Sequence, residues 1–336
     1  SLKAGQTSLV TITFSEAVTG FSSANLTVEG GTLSQVQSTD GGLTWTATLT
    51  PAQNQNSTGN VITLSSIGVQ DAAGNSATDI TGSNAYAVHT VRPTATITVA
   101  DSALKFGQTS QVTIVFSEAV NDFTIDDLSV AGGSLSPVQS SDGGITWTAT
   151  LTPAANLSNT DNAITLDNAG VQNAAGNAGS GSTESNAYAI DTLLPTASIV
   201  VANATLKTDQ TSLVTITFSE AVSGFTNAGL TVEGGSLSPV LSSDGGTIWT
   251  ATFTPASGTE QASHAITLDN TSVLDAAGNA GSGTTRSNAY AIDTQAPTIN
   301  ASTPLDDATN VNPGTNLTLT FSENVAAAVG LVQLRK

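Results

Sequence analysis

The side chains in this sequence that are best suited to chemistry are carboxylates that recur at a fixed spacing. The phrase Phe-Ser-Glu ends in Glu16, Glu118 and Glu220, each 102 residues after the one before it (118 − 16 = 102; 220 − 118 = 102). A second phrase, Asp-Ala-Ala-Gly-Asn, begins at Asp71 and again at Asp275. Carboxylate, amide and backbone carbonyl oxygens are the hard ligands that Ca²⁺ prefers in proteins. A calcium site therefore requires a fold that brings the two phrases together.

The same spacing holds for aromatic residues and divides the chain into domains. Three series keep it without insertion or deletion: Phe14, Phe116 and Phe218; Trp45, Trp147 and Trp249; Tyr86, Tyr188 and Tyr290. A unit of this length can bury its own core and is a full domain. We predict repeat 1 at residues 1–92, without its first strand, repeat 2 at 93–194, repeat 3 at 195–296, and a truncated, divergent fourth domain at 297–336.

Each repeat alternates between apolar and polar residues in the manner of a β-strand. In "ITWTATLTP" (145–153), Trp147, Ala149 and Leu151 would face one way and the intervening threonines the other. We count seven such strands in repeat 2 and find no helical stripe. The sequence predicts an all-β fold of tandem antiparallel β-sandwich domains arranged end to end as a rod. The Trp and Tyr series are interpreted as core residues, with exposed sugar-stacking rings as the alternative.

The phrase Asp-Gly-Gly precedes the Trp strand of every repeat and predicts a tight turn. Its first residues are Asp40, Asp142 and Asp244. Glycine readily takes the positive φ that such turns require, and the aspartate is therefore interpreted as a turn former rather than a ligand.

Antiparallel strand order predicts which loops share one end of a sandwich. The Phe-Ser-Glu loop, the Asp-Gly-Gly loop and the Asp-Ala-Ala-Gly-Asn loop should all return to the N-terminal end, facing the linker from the preceding repeat. Between repeats 2 and 3 this would assemble Asp191, Glu220, Asp275 and Asn279, a donor set that suits Ca²⁺. The alternative is that these residues only form turns, since Asp and Asn readily bond the nearby backbone.

The junction between repeats 1 and 2 departs from this pattern. His89 stands where repeat 2 has Asp191, and Asn173 stands where repeat 3 has Asp275, so only Glu118 remains as a carboxylate. We expect this junction to bind calcium weakly or not at all and to be the most flexible point of the chain. Glu16 and Asp71 are the equivalent candidates in repeat 1.

Composition excludes several classes of function. The 336 residues carry 7 basic and 26 acidic side chains and a formal charge of −19, which disfavours nucleic acid and anionic membrane surfaces. There is no Cys, which excludes a disulfide or thiolate site, and no apolar run is long enough to span a membrane. Because the sequence begins and ends within repeats, we expect an excerpt of something longer. We also expect the rod to be monomeric.

The ordered phrases resemble a known family. "FSEAV", "LTVEGGTLS", "STDGGLTWTATLTP", "VQDAAGN" and the linker "IDTxxPT" look like the bacterial Ig-like repeats of very long surface adhesins, including type I-secreted ones, across residues 1–296. The resemblance implies Ig-like domains at the bacterial cell surface, a stalk or extender role in adhesion and biofilms, and calcium at junctions. It adds Asp293 with Glu323 as ligand candidates at the next junction. The implied partners are neighbouring repeats and distal ligand-binding domains of the parent adhesin.

A binding module and an enzyme are the two alternatives to a structural role. A carbohydrate- or protein-binding module would need exposed aromatic rings, and aromatic residues make up only 4% of this chain. An enzyme is disfavoured because His89 and His264 occupy different repeat positions, and neither has a recognisable Ser or Asp partner. The structural role is therefore the leading interpretation.

Overall fold

The computed structural model describes residues 1–326, and part of the fourth predicted domain lies outside the described residues. The chain divides into two compact units, Ser1–Leu193 and Leu194–Lys336. The described residues form short strands and five three-residue 3-10 helices, at Ser23–Asn25, Ile125–Asp127, Asn168–Gly170, Asn227–Gly229 and Asn270–Ser272. The all-β prediction is confirmed.

The strands follow the repeats along the chain. Repeat 1 contains β1 Leu2–Lys3, β2 Ser8–Thr13, β3 Val18–Thr19, β4 Leu26–Val28, β5 Gly31–Leu33, β6 Gln37–Ser38, β7 Thr44–Pro51, β8 Asn56–Asn60, β9 Ile62–Ser65, β10 Gln70–Asp71, β11 Ile80–Gly82 and β12 Tyr86–His89. Repeat 2 contains β13 Ala95–Val99, β14 Ala103–Lys105, β15 Ser110–Phe116, β16 Val120–Asn121, β17 Leu128–Val130, β18 Gly133–Leu135, β19 Gln139–Ser140, β20 Thr146–Pro153, β21 Ser158–Asn162, β22 Ile164–Asp167, β23 Gln172–Asn173, β24 Ser182–Glu184 and β25 Tyr188–Asp191. Repeat 3 contains β26 Ala197–Val201, β27 Thr205–Lys207, β28 Ser212–Phe218, β29 Leu230–Val232, β30 Gly235–Leu237, β31 Leu241–Ser242, β32 Ile248–Pro255, β33 Glu260–His264, β34 Ile266–Asp269, β35 Thr284–Arg286 and β36 Tyr290–Asp293, and beyond it lie β37 Ile299–Thr303 and β38 Thr318–Phe321.

Each complete repeat is built from several small sheets in a constant order. In repeat 2 these are β13-β15-β20-β18 with β19 also on β20, β14-β25-β21, β17-β22-β24 and the pair β16-β23. The pairing is antiparallel except between β14 and β25, which run parallel. In repeat 1, β2 pairs only with β7, because no strand takes the place that β13 has in repeat 2. The prediction of seven strands in repeat 2 was too low, since the structure divides the same stretch into 13 short strands.

The core of repeat 2 follows the alternation in the sequence. Val112, Ile114 and Phe116 of β15 are all at most 4% exposed, while the residues between them face outwards or are half-buried. Tyr188 is 1% exposed, and Trp147 is half-buried against the same cluster. The packing of these rings agrees with the interpretation of the aromatic series as core residues. The sandwich built on this core holds the loops in place.

Candidate metal centre at the loop ends of the repeats

The loops predicted to share one end of a sandwich do lie together within repeat 2. Val120, after the Phe-Ser-Glu phrase, pairs with Asn173 at the start of the 173–177 loop. The backbone N–H of Val120 also donates to the carbonyl oxygen of Gly144 in the Asp-Gly-Gly turn, at 3.0 Å. We call this end of each repeat, formed by these three loops, the loop end. The convergence predicted from strand order is confirmed within the repeat.

The aspartates of the Asp-Gly-Gly phrase are turn formers, as the sequence indicates. Asp142 Oδ1 accepts hydrogen bonds from the backbone N–H groups of Ile145 and Thr146, at 3.2 and 2.9 Å, and from the Ser140 hydroxyl at 3.0 Å. These bonds, above all that from the Thr146 N–H, lower the pKa of Asp142 to about 2. The carboxylate is thus committed to its own turn.

The first residue of the Asp-Ala-Ala-Gly-Asn phrase caps its own loop in every repeat. Oδ1 of Asp71 accepts from the backbone N–H of Asn75 at 2.8 Å, and Oδ1 of Asn173 accepts from that of Asn177 at 2.9 Å. Oδ1 of Asp275 does the same with the N–H of Asn279, at 2.8 Å. This is the turn role of the alternative interpretation, and Asp and Asn fill it equally well because it uses only one oxygen.

Repeat 3 places two candidate carboxylates close together at its loop end. A carboxylate oxygen of Glu220 lies within 4.8 Å of a carboxylate oxygen of Asp275. Asp275 is only 4% exposed, and its second oxygen, Oδ2, accepts from the Asn279 side-chain amide at 2.8 Å. Two carboxylates held this close repel each other and favour a cation between them. This pair has the hard oxygen donors that suit Ca²⁺.

The remaining candidate residues occupy separate places. Asp191 ends β25 in the first compact unit and is half-buried, so its approach to Glu220 and Asp275 in the second unit stays a prediction. Asp293 is exposed at the end of β36, and Glu323 is half-buried. No group of three acidic or histidine side chains includes either of them among residues 1–326.

The equivalent residues of repeat 1 also lie apart from any such group in the described part of the chain. Glu16 is exposed. Asp71 caps its own turn, and its hydrogen bond from the Asn75 side chain is the main cause that lowers its pKa.

The first junction, inside one compact unit, is closed by side-chain amides instead of carboxylates. Asn173 Nδ2 donates to the carbonyl oxygen of Val91 at 3.0 Å, and Asn177 Nδ2 donates to that of His89 at 2.8 Å. Asn177 Oδ1 in turn accepts from the backbone N–H of Ala4 at 2.8 Å. Both asparagines are at most 5% exposed. These partly buried bonds connect the loop end of repeat 2 directly to the linker and to the start of repeat 1.

Two cationic side chains add to this junction. Lys3 Nζ donates to the carbonyl oxygen of Gly176 at 3.2 Å, and Arg92 Nη1 donates to that of Ala178 at 2.6 Å. Together with the three amide-mediated bonds, five hydrogen bonds join repeats 1 and 2. That this junction is the most flexible point of the chain stays a prediction. It rests on the lost carboxylates and leaves out the N–H₂ donor that an asparagine supplies.

Comparison with known proteins assigns the family. Residues 1–88, 89–190 and 191–292 each match a family described as bacterial Ig-like domain, and residues 293–333 match a second family of the same description. The chain therefore belongs to the bacterial Ig-like domain family. No curated protein matches the sequence. None of the helices in residues 1–326 is long and apolar enough to cross a membrane.

Several solved structures are similar to this chain. The Escherichia coli adhesin FdeC shares 15% identity, covers 84% of this chain and 87% of its own, and has a TM-score of 0.35. The I9–I11 tandem of titin shares 9% identity over 86% of this chain and 94% of its own, with a TM-score of 0.30. The Yersinia pseudotuberculosis adhesin InvE shares 13% identity over 58% of each chain, with a TM-score of 0.24.

Proposed function

We propose that this chain is an extender segment of a bacterial surface adhesin, which holds a distal ligand-binding domain away from the cell. The observation that supports this most is the repetition of one sandwich at an unchanged length of 102 residues (218 − 116 = 102). An array of similar domains gains stability from each repeat and each interface between neighbours, which suits a spacer. The aromatic rings Trp147 and Tyr188 contribute to packing, which favours a structural role over direct sugar binding.

We further propose that calcium stiffens the junction between repeats 2 and 3. Glu220 and Asp275 would supply two ligands from repeat 3, Asp191 would supply a third from the linker, and the Asn279 region would supply further oxygens. At a Kd of about 10⁻⁴ M and ~1 mM calcium, binding would contribute about 1.4 kcal/mol, since RT ln(11) has that value. That amount shifts a hinge equilibrium about tenfold and is small beside the stability of a sandwich core.

The test compares the whole chain in calcium and in chelator by small-angle X-ray scattering and calorimetric titration. We expect one calcium equivalent at this junction and a larger maximum dimension with calcium. Asp275→Asn keeps the loop cap, as Asn173 shows, but removes the charge, so it should abolish the calcium response. Asp71→Asn makes the same change in repeat 1 and is the matched control. Identical scattering of the unaltered chain in both conditions would contradict the calcium proposal and leave the extender role.

A further inference from the structure

A cleft beside the first junction contains two polar groups that the junction does not use. The cleft has a volume of about 410 Å³, and its walls include His89, Glu118, Asn56 and Asn173, all in the first compact unit. His89 and Glu118 come from different repeats, and the junction brings them to one cavity. Neither side chain takes part in the five hydrogen bonds that close the junction.

The Glu118 carboxylate has an unsatisfied oxygen. Its Oε1 is buried and has no hydrogen-bond partner. A buried acceptor without a donor costs free energy, and a carboxylate costs more than a neutral group. A cation bound at this oxygen would remove that cost.

The hydrogen bond of the His89 ring indicates which of its nitrogens could supply the second ligand. Its Nδ1 lies 2.5 Å from Asn56 Oδ1. An amide oxygen can only accept, so the hydrogen of this bond is on Nδ1, and the neutral ring then has its lone pair on Nε2. A histidine that binds a metal typically donates its other ring N–H to an oxygen in this way.

We propose that this cleft binds a divalent transition-metal ion, with Zn²⁺ as the probe, through His89 Nε2 and Glu118 Oε1. One imidazole nitrogen with one carboxylate suits such an ion, whereas Ca²⁺ takes oxygen ligands. Asn173 is not a ligand, because its Oδ1 accepts from the Asn177 N–H and its Nδ2 donates to Val91. Water completes the coordination. The proposal does not depend on calcium at the second junction.

The first experiment observes the two histidines of the chain directly. The complete chain, labelled with ¹⁵N in its imidazole rings, is titrated with ZnCl₂ and followed by NMR. We expect the Nε2 resonance of His89 to move into the metal-bound range at one equivalent, while that of His264 stays in place. Absence of a shift at His89, or equal shifts of both rings, would overturn the assignment.

Calorimetry on variants tests the ligands one at a time. His89→Gln and Glu118→Gln should each weaken zinc binding at least about tenfold. His264→Asn, which restores the residue found as Asn60 and Asn162 in the other repeats, should leave it unchanged. A tenfold excess of CaCl₂ should not displace zinc. Unchanged affinity in His89→Gln, or displacement by calcium, would overturn the proposal.

Ser1 also lines the cleft, so the polypeptide used in these titrations needs a control in which the amine of this residue is blocked. Acetylation of this amine removes it as a ligand without changing a side chain. We expect zinc affinity to stay the same after acetylation. A loss comparable to that in Glu118→Gln would assign the metal to the amine and overturn the role of His89.

Discussion

Asn173→Asp replaces one nitrogen with one oxygen in the side chain that both caps its loop and donates to the linker at the first junction. The loop cap would survive, because it uses Oδ1, but the other atom would turn from a donor to Val91 into an acceptor facing that carbonyl. The lost bond costs about 1 kcal/mol, and leaving buried acceptors unpaired adds about 1–3 kcal/mol. The total cost is about 2–4 kcal/mol. The equilibrium constant for separation of repeats 1 and 2 should therefore rise by about 30-fold to several hundredfold.

The chain is well suited to a distance measurement across this junction, because it contains no Cys. Gln35→Cys and Thr160→Cys introduce two exposed thiols, one in each repeat, for spin labels. Pulsed electron spin resonance should give a narrow distance distribution for the chain that retains Asn173, in calcium and in chelator alike. In the Asn173→Asp variant the distribution should broaden. Asn300→Asp adds the same charge at an exposed position of β37 and should leave the distribution narrow.

The result that refutes this reasoning is specific. If Asn173→Asp leaves the distribution as narrow as before, the amide bonds do not hold the junction closed. If the unaltered chain already shows a broad distribution, the junction is flexible, as the sequence predicts. In either case the hydrogen bonds of Asn173 and Asn177 would not be what holds repeats 1 and 2 together.

Three further predictions concern repeat 2. Gly144→Ala should destabilise it by at least about 2 kcal/mol in urea unfolding, because φ is +100° and the new Cβ would lie 2.6 Å from the Val120 oxygen. Backbone N–H donors lower the pKa of Asp142 to about 2. Its contribution to the stability of the fold is therefore complete above about pH 4 and is lost as the pH falls towards 2. Asp142→Asn should remove this part of the acid dependence of the melting temperature, measured over a series of pH values. Tyr188→Phe removes a hydroxyl that donates to a backbone carbonyl at 2.5 Å, and should cost about 1–2 kcal/mol in the same urea assay without changing the fold seen by circular dichroism.

Much of the sandwich was predictable because its inner strands alternate. The strand predicted at 145–153 is β20, Thr146–Pro153, and its inward residues are those that the pattern indicates. β21, Ser158–Asn162, was missed because its residues are all polar, and four of them are exposed. β14 was also missed. It is three residues long and pairs in parallel with β25, and nothing in a three-residue stretch reports a partner 86 residues away (189 − 103 = 86).

The candidate site was predictable only as far as backbone topology determines it. Strand order was enough to place the Glu118 loop, the Asp-Gly-Gly turn and the 173–177 loop at one end. It could not predict which side-chain atom of Asn173 faces the linker, because that depends on the hydrogen-bond partners that surround the side chain in the folded protein. The prediction of a flexible first junction treats Asn as a weaker Asp and therefore leaves out the hydrogen bonds that the two asparagine amides donate to the linker.

The comparison of Asn173 with Asp275 suggests how a single residue selects the kind of junction. Both cap their loop through Oδ1. In repeat 3 the second oxygen of Asp275 accepts a hydrogen bond from the Asn279 side-chain amide. In repeat 2 the equivalent amide, that of Asn177, donates to the carbonyl oxygen of His89 in the linker instead. An aspartate brings a charge but no donor, so we expect a junction built on it to depend on a cation, while one built on asparagine brings its own donors. Within this family of repeats, the residue equivalent to Asn173 and Asp275 should therefore predict whether removal of calcium loosens the junction between its own repeat and the preceding one.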